Sequence, residues 1–141
     1  LSGGAVAKNA RRLVIMGGTT DGRGNKAPAA EANIHNDPDA AKIVFAAFPD
    51  ITMAGLNVTR QVRLSPEFRH RLRDGCGAVG RWIFAITQHY VDILTSWGNK
   101  SIAVHDSCAV MAVLAPWLWE SERVCVDVDN GGGLCDGATV A

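Results

Sequence analysis

The chain has 141 residues, 48% of them hydrophobic and 20% charged, enough for one domain with its own core. Its 14 Lys and Arg balance its 14 Asp and Glu, which argues against a surface built to grip nucleic-acid phosphates. No apolar stretch reaches the about 18 residues of a membrane span, so no membrane partner is expected. The start, Leu1–Ala7, lacks the basic residues and apolar run of a signal peptide. The short apolar run Arg12–Met16, closed by Gly17 and Gly18, predicts a strand buried on both faces. Thr19–Lys26 reads as a loop. Asp37-Pro38-Asp39 predicts a helix start: Asp37 caps, Pro38 suits the first turn and Asp39 favours the positive helix end. Ala41, Val44, Phe45 and Phe48 then share one face, and Pro49 closes the helix.

Ile51–Leu56 predicts a second strand, and Ser65-Pro66-Glu67 opens a second capped helix. Gly75, Gly77 and Gly80 mark a break. From Arg81 onward, Trp82, Ile86, Tyr90, Ile93 and Trp97 step by three or four residues, which predicts a long amphipathic helix ended by Gly98-Asn99-Lys100. A short helix is expected after His105, stopping before Pro116. Arg123–Val128 alternates like a strand, Gly131–Gly133 is a turn, and Thr139–Ala141 is strand-like to its last residue. Strands alternating with helices predict an α/β domain with a largely parallel sheet. Both ends read as cuts through a larger domain. The cysteines Cys76, Cys108, Cys125 and Cys135 form neither a C-x-x-C pair nor a zinc pattern, so buried, reduced thiols of a cytoplasmic protein are expected.

Two clusters carry chemistry. Asn25, Glu31 and Asn33 lie in GNKAPAAEAN, in the loop after the first strand, where α/β sheets bind ligands. Two amides and a carboxylate so close together suit a polyol, and they suit turns and helix caps equally. His105-Asp106 stands where a loop enters a helix. Asp106 is either a cap or a ligand for a hard cation, and His105 either a packing residue or an acid. Tyr90 and Trp97 either stack on an aromatic ligand or belong to the core of their helix.

Four blocks stand in a definite order: RLVIMGG (Arg12–Gly18), GN-x-x-PAAEAN-I-x-x-DP-x-AA-x-IVF (Gly24–Phe45), DIT-x-x-G-L-N-VT (Asp50–Thr59) and HD-x-CAV (His105–Val110). With the tail Gly133–Val140, this pattern resembles the inosine/uridine-preferring nucleoside hydrolase family, in its plant-like PAAEAN form. The resemblance implies an open, largely parallel Rossmann-like α/β sheet with flanking helices, truncated here at both ends. It implies hydrolysis of the N-glycosidic bond of purine or pyrimidine ribonucleosides to base and ribose by a calcium-bound water. Asn25, Glu31 and Asn33 then resemble ribose-binding residues, and Met16 the residue beside the sugar. Asp106 resembles a calcium ligand that also touches the ribose, and His105 the group that helps the base leave. A homo-oligomeric parent enzyme is also implied.

The chain departs from the family in specific places. The family's aspartate-rich segment, of the D-x-D-x-x-x-D-D kind, does not occur in these residues; Asp21, Asp37 and Asp39 belong to other blocks. Ser107 stands where proline is usual. Ala32 replaces a common phenylalanine, which leaves base preference open. Residues 1–141 are therefore expected to be a partial nucleoside hydrolase domain of a longer enzyme, inactive alone. The alternative is a non-catalytic remnant that binds a ligand or a partner chain, and an in-frame aspartate-rich segment upstream of Leu1 would decide between them.

Overall fold

A computed structural model describes residues 4–141; Leu1, named above, lies outside them. In chain order the elements are α1 (Ala5–Asn9), β1 (Leu13–Met16), α2 (Ala32–Asn36), α3 (Pro38–Ala47), β2 (Ile51–Ala54), α4 (Leu56–Thr59), β3 (Arg63–Leu64), α5 (Pro66–Gly75), α6 (Gly77–Ser96), β4 (Ile102–Ala103), α7 (Asp106–Leu114), a 3-10 turn (Pro116–Leu118), β5 (Asp127–Val128) and β6 (Thr139–Val140). They fall into two units: residues 1–59 with 105–141, and residues 60–104.

In the first unit β1 and β2 pair in parallel, from Leu13 opposite Ile51 to Met16 opposite Ala54. The α/β class is as expected, with α7 packed on this pair. A second pair, β5–β6, is antiparallel. β1 was expected to be buried on both faces, but all its residues are half-buried. Among the described residues it has one strand neighbour, with α7 packed on the pair and α2 reaching only its end at Met16, which leaves part of each side chain open. The second strand stops at Ala54, short of Leu56, because the chain curls into α4: the Gly55 carbonyl accepts from Val58 and Thr59 N–H, and Leu56 N–H turns to the Gly18 carbonyl at 2.9 Å. Only Asp127 and Val128 of the expected strand Arg123–Val128 are extended in a ladder, since only Val140 and Thr139 oppose them.

The capping logic holds at α3, where Asp37 Oδ1 accepts from Ala40 N–H at 2.9 Å. Of the expected α3 face, Ala41, Phe45 and Phe48 are half-buried, while Val44 faces solvent. The core is built of small side chains: Ala30, Ile34, Ala54, Leu56, Cys108, Ala112, Ala115, Val128 and Ala138. All four cysteines are free thiols, but only Cys108 is buried; Cys76, Cys125 and Cys135 are exposed, lying on loops and a helix junction rather than in the packed layer.

In the second unit β3 and β4 pair antiparallel, and α5 packs along α6. Ser65 caps α5 as expected, accepting from Phe68 N–H at 3.2 Å. The glycine-marked break is a single residue, Cys76, and Gly80 lies inside α6. There the helices approach so closely that a Cβ on Gly80 would run into the Leu72 carbonyl. The buried face of α6 is also not the expected one. Trp82, Ile86, Tyr90 and Trp97 are exposed and, of the expected stripe, only Ile93 is half-buried, whereas Gly80, Ile83, Phe84, Thr87 and Val91 turn inward. Arg69 of α5 sets this rotation. It is buried, lies 4.5 Å over the Phe84 ring and donates to Phe84 O at 3.0 Å, Thr87 Oγ1 at 3.2 Å and Gln88 Oε1 at 3.1 Å. Tyr90 and Trp97 are therefore not core residues of this chain.

This arrangement orders the helix faces by cost. Phe84→Ala should destabilise the chain by about 2 kcal/mol, less than the ~3–5 of a fully buried phenylalanine, while Trp82→Ala should stay within about 0.5 kcal/mol of the parent. Urea denaturation of the two variants measures both; a larger loss for Trp82→Ala would contradict the observed face.

Candidate functional site

The site grows from the carboxyl end of β1. Gly17 N–H reaches back to the Ala54 carbonyl at 3.4 Å, and Gly18 then turns the chain with φ 70°, in the left-handed region where a side chain is disfavoured. A Cβ on Gly18 would also lie 2.8 Å from Thr139 Cγ2, so the position is closed to other residues on two counts. Next, Thr19 is fully buried and latched to the other end of the chain. Its N–H donates to Thr139 Oγ1 at 2.8 Å, and that hydroxyl donates back to the Thr19 carbonyl at 2.6 Å.

The following loop winds on itself and delivers the three polar side chains. Gly24 N–H donates to the Pro28 carbonyl at 2.8 Å, and Asn25 and Lys26 N–H share the Ala30 carbonyl at 3.1 and 3.2 Å. Ala30 bridges to Ala138, which ties the loop to the Thr139 segment. Asn25 Oδ1 accepts from Ala32 N–H at 2.9 Å. Glu31 is 2% exposed and caps α2. Its Oε2 accepts from Gly18 N–H at 3.0 Å, Asn33 N–H at 2.9 Å and Ile34 N–H at 3.2 Å. Asn33 Nδ2 donates to the Met16 carbonyl at 3.3 Å and contacts Met16 Sδ at 3.4 Å.

Each of these side chains has one polar atom committed to the protein. The other atom of each, Asn25 Nδ2, Glu31 Oε1 and Asn33 Oδ1, has no hydrogen bond among the described residues. The backbone and thioether partners also fix the amide orientations, because a backbone N–H requires the oxygen of Asn25 and a carbonyl requires the nitrogen of Asn33. The structure thus brings Met16, Asn25, Glu31 and Asn33 together around the start of α2, with an amide nitrogen and two oxygens left unbonded among the described residues.

The second cluster sits at the start of α7. His105 is half-buried, and its Nδ1 lies 2.8 Å from Thr59 Oγ1, the fully buried last residue of α4. Asp106 occupies the first turn of α7, exposed, where a carboxylate suits the positive helix end; its side chain makes no hydrogen bond among the described residues. Burial first, and then the Asp106 charge, push the Cys108 thiol up. Among the described residues no hydrogen bond runs directly between this cluster and the first. They are connected through the strand ends: Leu56 N–H to Gly18 O at 2.9 Å, then along α4 to Thr59 and His105.

No group of three or more His, Cys, Asp or Glu that could hold a metal occurs among the described residues. The expected site residues line neither the concavity bounded by Leu64, Arg69 and Val91 nor the one bounded by Lys42, Asp127 and Val140. Sequence reasoning missed Thr19, Thr59 and Thr139. A buried threonine has no local signature, and its partners here lie 46 or 120 positions away.

Nearly the whole chain resembles known proteins. The family model described as inosine-uridine preferring nucleoside hydrolase matches residues 3–141. A non-specific ribonucleoside hydrolase from Salmonella newport is 39% identical over 134 residues, 95% of this chain and 42% of that protein. Its counterpart from Salmonella typhi matches to the same extent, 39% over 134 residues. Among solved structures, a plant nucleoside hydrolase superposes with a TM-score of 0.86 at 32% identity, covering 95% of this chain and 42% of that one. A purine-preferring ribonucleoside hydrolase from Gardnerella vaginalis also gives a TM-score of 0.86, at 30% identity over 99% of this chain and 44% of its own. The chain thus spans less than half the length of the relatives it matches.

The Glu31 bonds make a stability prediction. Glu31→Ala removes the α2 cap and leaves two buried N–H groups without an acceptor, so it should cost about 2–4 kcal/mol. Glu31→Gln, which keeps one acceptor oxygen, should cost clearly less. Chemical denaturation of both variants checks the ranking.

Proposed function

The chain belongs to the inosine-uridine preferring nucleoside hydrolase family, and from that premise we propose that it forms the ribose-gripping and leaving-group half of a nucleoside hydrolase. The reaction is hydrolysis of the N-glycosidic bond of a purine or pyrimidine ribonucleoside, inosine or uridine among them, to base and ribose. One observation supports this above the rest: Asn25, Glu31 and Asn33 are each anchored by one polar atom and offer the other. Cleavage of such a bond passes through an oxocarbenium-like state in which the sugar changes shape. Hydrogen bonds fixed in advance, and tightening as the hydroxyls move, lower that barrier without reorganisation of the protein.

In this reading Glu31 Oε1 and Asn33 Oδ1 accept from ribose hydroxyls, and Asn25 Nδ2 donates to one. Met16, held by Asn33 through its carbonyl and sulfur, lies against the sugar. His105 assists the departing base, the work of a positioned donor near neutral pH. Asp106 touches the ribose and supplies one ligand to a calcium ion. Calcium takes six to eight oxygens, so these residues do not hold it by themselves, and the remaining ligands come from outside the 141 residues. When bound, the ion makes its water a usable nucleophile near neutral pH. Residues 1–141 are accordingly a partial catalytic domain, and the parent enzyme is a homo-oligomer as in the family resemblance. Three exposed free thiols suit a reducing compartment, the cytoplasm.

Two assays test the proposal. The purified 141-residue chain should release no ribose from inosine or uridine, with or without added calcium; robust calcium-dependent release would overturn the division of the site. In the parent enzyme, His105→Ala should slow inosine cleavage by roughly 100- to 10,000-fold. A nitrophenyl riboside, whose leaving group needs no help, should lose much less. Equal losses on both substrates would remove His105 from the leaving-group role.

A further inference from the structure

Among the described residues the hydroxyl of Thr59 is the one group that hydrogen-bonds the His105 ring, and its surroundings dictate how. Thr59 is fully buried at the end of α4. A helical threonine ordinarily satisfies its hydroxyl on the carbonyl four residues back, as Thr87 does with Ile83 O at 2.8 Å in α6. Thr59 does not. The Gly55 carbonyl is already taken by Val58 and Thr59 N–H, both at 3.0 Å, and the Thr59 hydroxyl turns to His105 Nδ1 at 2.8 Å instead. That nitrogen is its only hydrogen-bond partner among the described residues.

A buried hydroxyl hydrogen must have an acceptor, and Nδ1 can accept only when it carries no proton. The opposite arrangement, Nδ1–H donating to Oγ1, would leave the hydroxyl hydrogen buried without a partner. We propose that Thr59 is a positioning residue for hydrolysis: it donates to His105 Nδ1, holds the ring in one orientation and keeps its proton on Nε2. Nε2–H is then the donor presented to the nitrogen of the departing base. This rests on the leaving-group reading of His105. The partner of the second ring nitrogen sets which nitrogen does the work, as it does for histidines elsewhere.

The direct test is nitrogen NMR of the 141-residue chain labelled with 15N-histidine, at a pH where imidazole is neutral. His105 should show an unprotonated, hydrogen-bonded Nδ1 and a protonated Nε2. In Thr59→Val, which keeps the shape and removes the hydroxyl, the Nδ1 signal should move to that of an imidazole nitrogen without a donor. Thr59→Ser should restore the parent spectrum. A proton on Nδ1 in the parent chain, or a Thr59→Val spectrum identical to the parent, would overturn the proposal.

Kinetics of the parent enzyme supply the second arm. Thr59→Val should lower kcat for inosine by roughly 10- to 100-fold with KM little changed, the pattern of an interaction made in the transition state. Thr59→Ser should recover most of it. In a His105→Ala background, Thr59→Val should have no further effect. A further loss there would mean that Thr59 acts on the fold or the substrate and not through His105. If His105→Ala itself leaves kcat unchanged while the NMR result holds, the leaving-group reading fails and the hydrogen bond stands.

Discussion

One oxygen atom, Glu31 Oε2, organises most of what surrounds it. Three N–H groups converge on it: Gly18, at the turn after β1, and Asn33 and Ile34, in the first turn of α2. Charge-assisted bonds of this kind are short and strong, and their strength grows where water is kept out. Here they weld the end of a strand to the beginning of a helix that is only five residues long and would not persist by itself. Because Oε2 is occupied in this way, Oε1 has a fixed direction. The capping oxygen and the oxygen proposed to meet the ribose thus belong to the same carboxylate.

The same division recurs in the neighbours. Asn25 secures Ala32 N–H with its oxygen and keeps its amide nitrogen; Asn33 secures Met16 with its nitrogen and keeps its oxygen. A flexible polar side chain would have to be ordered when a ligand arrives, and that ordering opposes binding. Side chains already tethered at one atom avoid most of it. Asp106 differs: it stands at a helix start with no tether from the described residues.

Helix starts were the most legible part of the sequence, because Asp37-Pro38 and Ser65-Pro66 encode their caps within three residues. Asn25, Glu31 and Asn33 were singled out from local motifs combined with family resemblance, although the residue types alone allowed turns and caps as well. The structure shows the cap at Glu31, and its other oxygen carries no hydrogen bond among the described residues. The face of α6 was not legible. Two apolar stripes run along that helix, and choosing between them depends on Arg69, a charged residue that periodicity would place outside. Strand lengths failed for a related reason. A run such as Arg123–Val128 has strand character throughout, but a ladder extends only as far as its partner, here two residues. The threonines at 19, 59 and 139 left no trace in the pattern because their meaning comes from residues far away in the chain.

The latch between Thr19 and Thr139 bears on the order in which the site can form. Its two bonds close a loop of 120 residues, whereas the bonds of Glu31 to Asn33 and Ile34 close loops of two and three. Local contacts lose little chain entropy and form early; distant ones wait until most of the polypeptide has already collapsed. The α2 turn can therefore exist while the backbone of Thr19 is still unlatched. Between these two stages Glu31 and Asn33 are already held at the start of α2 but the loop that precedes them is loose. Such an intermediate would exchange its Thr19 amide hydrogen with solvent long before those of α2, and it would be the state in which a nascent chain is most exposed to proteolysis at Thr20–Gly24.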